Sequence, residues 1–130
     1  MERRNVLALL LLGIVLLGGC GSPTPTQPKG EGRVNQVVYI TMSKACGCIL
    51  DRCQAGDWVM EKIFVGERQG LLKRIDYSTD KATGQKYIGK YRITLPPTLL
   101  FLDAKGNLIW RADGELEYDL VLAKLKEFGA

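Results

Sequence analysis

The stretch Val37-Val38-Tyr39-Ile40-Thr41-Met42-Ser43-Lys44-Ala45-Cys46-Gly47-Cys48, with Cys53 five residues beyond it, decides how this 130-residue chain is read. Its first four residues are an apolar run and predict a buried strand. The cysteines follow at once and open a helix-like segment. A thiol at a strand-to-helix junction meets free backbone N–H groups and the positive end of the helix dipole, both of which favour thiolate over thiol. The thiolate is the form that attacks disulfides and binds soft metals, so this stretch points to thiol chemistry.

Upstream, Arg3 and Arg4 form a short basic region, residues 6–17 are almost wholly apolar, and Leu17-Gly18-Gly19-Cys20 closes the segment. That is the anatomy of a secretory signal. The apolar run falls short of the about 20 residues that span a bilayer. Leu17-Gly18-Gly19-Cys20 resembles the lipobox of bacterial lipoproteins, in which the cysteine is lipidated and becomes the mature N-terminus. The resemblance implies a signal peptide over residues 1–19, a lipid on Cys20, and an extracytoplasmic protein anchored to a bacterial membrane, either the cell membrane or the outer membrane. Disulfides form and persist in that compartment. With Cys20 acylated, Cys46, Cys48 and Cys53 are the remaining thiols. An odd set outside the cell leaves one of them free, reactive or metal-bound.

Residues 20–33 then form a tether rich in Pro, Gly, Ser and Thr, and residues 34–130 suffice for one small domain. The chain carries a net charge of +4 and has no histidine. Histidine-based zinc sites and Ser-His-Asp or Cys-His catalysis are therefore excluded. The basic residues are scattered and no cluster of them is interleaved with aromatics, which argues against a nucleic-acid partner.

Within the domain, residues 34–42 predict a strand, and residues 48–55 a helix that kinks at Gly56-Asp57 and continues to about residue 65. Ile49, Cys53, Met60 and Ile63 share one face of it. Residues 71–77 predict a second strand, and 79–91 a loop with a short helix. Residues 98–103 and 107–112 form a hairpin around Ala104-Lys105-Gly106. Residues 116–128 predict an amphipathic helix with Leu116, Leu120, Ala123 and Phe128 inward. Trp58 and Trp110 read as packing residues. The order implies an α/β domain, a central mixed sheet with helices on both faces.

The stretch Lys90-Tyr91-Arg92-Ile93-Thr94-Leu95-Pro96-Pro97-Thr98-Leu99-Leu100-Phe101 resembles the segment of thioredoxins that leads into their cis-proline loop. The strand-then-cysteine stretch matches the other half of the thioredoxin site, so the resemblance covers nearly the whole mature domain. It implies a thioredoxin-like fold, a cis peptide before Pro97, and a loop of Pro96, Pro97 and Thr98 that pairs with a substrate peptide. It also implies that Cys46 is the attacking cysteine. Three departures stand out. Pro96 removes a backbone N–H next to the cis bond. Ile49 stands where thioredoxins carry their second cysteine, and Cys48 has moved one place earlier. The strand beneath the cysteines lacks the carboxylate that moves protons in the family.

A Cys46–Cys48 disulfide closes a small, strained and therefore easily reduced ring. Cys53 is the rival partner, and a buried structural cysteine is the simpler account of it. The expected activity is that of a monomeric, membrane-anchored thiol–disulfide oxidoreductase acting on protein thiols and disulfides without a cofactor, with Cys46 and Cys48 catalytic. Two alternatives stand beside it. One is a soft-metal protein holding Cu(I) or Zn(II) on Cys46, Cys48 and Cys53. The other is a redox-inactive, thioredoxin-like interaction module.

Overall fold

A computed structural model of the chain describes residues 32–130; the expected signal peptide, Cys20 and most of the tether lie outside the described residues. The elements are β1 (Gln36–Thr41), α1 (Gly47–Ile63), a 3-10 helix (Gly66–Leu71), β2 (Leu72–Asp76), α2 (Lys81–Tyr91), β3 (Thr98–Leu102), β4 (Leu108–Asp113) and α3 (Tyr118–Glu127). The four strands form one sheet in the order β2-β1-β3-β4. β1 runs parallel to β2 and antiparallel to β3, and β4 is antiparallel to β3.

The β-branched run of β1 makes it a central strand buried on both faces, and its alternation builds two cores. Val37 and Tyr39 face α1 and α3, in a cluster with Val59, Met60, Phe101, Val121 and Leu125. Val38 and Ile40 face the other way, into a cluster with Ile75, Ile93, Leu100, Tyr87 and Ile88 beneath α2. Helices therefore cover both faces of a mixed sheet, as the sequence predicts. Among the described residues, both clusters draw their members from residues 34–130.

Three local expectations are corrected. α1 is one uninterrupted helix from residue 47 to 63, with Gly56 buried inside it and no break at Gly56-Asp57. The glycine serves close approach: a Cβ there would sit 2.6 Å from the Tyr39 hydroxyl. α2 is a full 11-residue helix, capped by Asp80, whose side chain accepts from the Thr83 N–H. Tertiary packing of Tyr87, Ile88 and Tyr91 on the sheet compensates for its weak intrinsic pattern. α3 turns Val121 and Leu125 inward, while Leu120 and Ala123 are exposed. It begins at Tyr118, later than expected, so Leu116 packs on the core from the preceding loop. Trp110 is buried edge-on against Phe101 at 4.8 Å, whereas Trp58 is 55% exposed. Among the described residues, no helix is long and apolar enough to cross a membrane.

Candidate thiol site

The cysteines stand at the end of β1 where the chain turns into α1. Cys46 is the N-cap residue, with extended backbone angles, and its carbonyl accepts from the N–H groups of Ile49 and Leu50 at 3.0 and 2.9 Å. Its side chain makes no capping hydrogen bond and the first turn contains no acidic residue. Asp51 comes later in the helix and is exposed. Both sulfur-bearing residues thus stand at the N-terminal turn of α1, with no carboxylate in that turn. Cys46 and Cys48 are both exposed, and their Sγ atoms are 3.7 Å apart, in contact without a bond. Cys53 is separated from them: it is fully buried on the inward face of α1.

The loop that delivers Cys46 is clamped to β2 and the turn after it. Asp76, the last residue of β2, accepts from the Ser43 N–H at 3.1 Å and the Ser78 N–H at 2.9 Å. Ser78 completes the clamp by accepting from the Lys44 N–H at 3.0 Å and donating to the Lys44 carbonyl at 3.1 Å. Burial alone pushes the Asp76 carboxyl up, but the hydrogen bonds from Ser43 and Ser78 outweigh it and hold the carboxyl below its ordinary value. This clamp does not stand out in the sequence; its signal there is the Asp76-Tyr77-Ser78-Thr79 turn composition.

At the same end of the sheet, Ile40 of β1 pairs with Thr98 of β3, which places the preceding proline loop at the cysteine pole. The Pro96–Pro97 peptide is cis. The Pro97 carbonyl accepts from the Gly114 N–H at 2.8 Å. The Thr98 hydroxyl lies 2.7 Å from Asp113 Oδ1 and 3.1 Å from the Leu95 carbonyl, sharing its one proton between them. Arg111 grips Asp113 and also donates to the Tyr91 carbonyl at 2.7 Å. The segment entering the proline loop is thereby tied to β4.

Two comparisons, with protein-family models and with curated proteins, returned no match. Solved structures do match. The reduced C-terminal domain of DsbD from Neisseria meningitidis superposes with a TM-score of 0.54 at 12% identity, over 75% of this chain and 83% of that one. The thioredoxin Mala s 13 of Malassezia sympodialis gives 0.52 at 21% identity, over 75% and 80% of the two chains. The fold is thioredoxin-like. At such identities the likeness establishes the fold and leaves the chemistry to be argued from the site.

In this thioredoxin-like domain β1 has no acid, but an acid reaches its buried face from α1. The Tyr39 hydroxyl is 2.9 Å from Asp57 Oδ1 and 3.1 Å from the Cys53 carbonyl, and Arg74 holds the other Asp57 oxygen at 2.7 Å. Burial, reinforced by the Asp57 charge, drives the Tyr39 hydroxyl far above the ordinary tyrosine range, so it stays a neutral donor. Sequence reasoning missed this network because its members are scattered along the chain. Among the described residues, no group of three Cys, Asp or Glu side chains is arranged to hold a metal ion.

Proposed function

We propose that the chain is a thiol–disulfide oxidoreductase, held outside the cytoplasm by a lipid on Cys20, with Cys46 as nucleophile and Cys48 as resolving cysteine. The observation that carries this reading is the pair of exposed sulfurs 3.7 Å apart at the start of α1. The Cys46 thiolate attacks one sulfur of a substrate disulfide, and the bond's electron pair leaves on the other sulfur as a thiolate. The Cys48 thiolate then attacks Cys46 Sγ in the mixed disulfide and expels the second substrate thiolate. Solvent protonates both leaving groups. The substrate gains two electrons and the chain becomes the Cys46–Cys48 disulfide; every step is reversible, and the redox partner sets the direction.

The buried position of Cys53 supports a packing role for it. A three-thiolate metal site needs Cys53 beside the other two, and its separation from them argues against that alternative. The proline loop at the same pole, Pro96, Pro97 and Thr98, is the proposed docking edge for a substrate peptide, with Pro96 contributing a carbonyl but no N–H.

Reduction of insulin disulfides by dithiothreitol tests the reading. Cys46→Ser should abolish the catalysed rate while Cys53→Ser retains most of it. Equal loss in all three cysteine variants would favour a shared metal site, and no dependence on Cys46 would favour an interaction module.

A further inference from the structure

The charges of this domain are unevenly spread. The cysteine end carries Asp76 and Asp113 as the last residues of β2 and β4, with Asp80, Glu115, Glu117 and Asp119 just beyond them, against Lys44, Arg52 and Lys81. A basic groove runs along α2 toward the opposite end: Lys73, paired with Val38 in the middle of the sheet, and Lys86 and Lys90 of α2 line it with Tyr87, Tyr91 and Gly106. Lys73 lies 5.3 Å from the Tyr87 ring centre and Lys90 lies 5.0 Å from that of Tyr91. The two rings stack with centres 6.0 Å apart. Lys105 projects from the adjoining β3–β4 turn, and Arg33 and Arg68 line a neighbouring hollow at the same end.

None of the three groove lysines is ion-paired with a carboxylate among the described residues. Of the acids at this end, Glu67 lines the hollow of Arg33 and Arg68, and two others are engaged elsewhere. Glu127 pairs with Lys124 at 2.6 Å, and Asp103 accepts from the N–H groups of Lys105 and Asn107 in its own turn.

The chain enters the described domain at this same end. A Cβ on Gly32 would touch Ile109 and Asp103, the Val34 N–H donates to the Phe128 carbonyl, and the Asn35 N–H donates to the Leu102 carbonyl. The six residues of β1, at about 3.3 Å each, separate this end from the cysteine end by about 20 Å.

We propose that the basic groove of Lys73, Lys86 and Lys90, which opens toward the end where the chain enters the domain, docks on the anionic surface of the bilayer to which the chain is anchored, and so keeps Cys46 and Cys48 off the membrane. The proposal rests on the anchored reading above. Charge complementarity selects the occupant, and the chain enters the described domain at the end toward which the groove opens. The acids around the cysteines are repelled by the same surface, which favours docking with that end turned away.

Residues 21–130, which carry no lipid and include every described residue, serve for the test once circular dichroism shows them folded. Binding is measured by co-sedimentation with vesicles of equimolar phosphatidylglycerol and phosphatidylcholine and with vesicles of phosphatidylcholine alone. The expected result is binding to the anionic vesicles only, lost as salt rises from about 0.1 to 1 M and the screening length falls from about 10 to 3 Å. The triple variant K73Q/K86Q/K90Q should bind about a hundredfold more weakly, at about fivefold per lysine. The charge-matched control K44Q/R52Q/K81Q, at the cysteine end, should bind nearly as well as the parent. Equal weakening in both variants, equal binding to neutral vesicles, or capture by polyglutamate without binding to anionic vesicles would each overturn the proposal. Lipid on Cys20 is tested separately by the mass of the chain extracted from membranes. Its absence removes the anchor but leaves the vesicle result standing.

Discussion

Alanine in place of a helical glycine normally stabilises a protein, by about 1 kcal/mol in a helix interior. Gly56→Ala should do the opposite here. The added methyl would sit 2.6 Å from the Tyr39 hydroxyl oxygen and 3.4 Å from Leu116 Cδ1. A flexible side-chain end would move aside cheaply, but this one is fully buried and hydrogen-bonded to α1 itself at Asp57 and at the Cys53 carbonyl. Relief requires either breaking a bond to a charged group, at about 1.5–3 kcal/mol, or lifting α1 off the sheet at a similar overpacking cost. Either exceeds the propensity gain, so Gly56→Ala should lose about 0.5–2 kcal/mol net. Tyr39→Phe removes the offending oxygen, and in that background Gly56→Ala should become neutral or stabilising. The assay is urea unfolding of the reduced domain followed by circular dichroism, with all four corners of the cycle measured. Stabilisation by Gly56→Ala in the parent, or the same cost in both backgrounds, would refute the close-approach argument.

Three further predictions concern the thiol end. Cys48→Ser should trap mixed disulfides between Cys46 and substrate, visible as dithiothreitol-sensitive adducts on non-reducing gels, whereas Cys46→Ser should trap none. Asp76 has a folded-state value below its unfolded one, so its contribution is present above the unfolded carboxylate value, about 3.9, and is lost as pH falls through the folded value. Asp76→Asn should therefore lower stability at pH 7 and flatten the acid limb of the stability–pH curve, read from urea midpoints. Asp113→Asn removes the acceptor charge shared by Thr98 and Arg111 and should cost about 1–2 kcal/mol, with faster hydrogen exchange in residues 92–98.

Much of the fold was legible because its elements announce themselves locally. The β-branched run of β1, the Gly106 turn and the Pro-Pro-Thr entry to β3 each carry their own signal, and strand bounds moved by no more than two residues. The thiol pair was legible for the same reason, since Cys46 and Cys48 are two residues apart. What stayed hidden depends on partners distant in sequence. Gly56 reads as a kink until Tyr39 is seen against it. α2 reads as mostly loop until Tyr87 and Ile88 find the sheet. The inward face of α3 depends on where Tyr118 starts the helix, which moved Leu120 and Ala123 to solvent. The Asp76–Ser78 clamp joins residues more than 30 positions apart from the loop they hold, and no spacing rule reveals it.

Disulfide mapping tests the central claim most directly. The purified domain is equilibrated in oxidised and then reduced glutathione, its free thiols are alkylated at each stage, and the peptides are identified by mass spectrometry. The account predicts one reversible bond, Cys46–Cys48, with Cys53 protected from alkylation until the domain unfolds. A chain in which all three thiols stay free under oxidant, or in which Cys53 supplies the partner of Cys46, would contradict it.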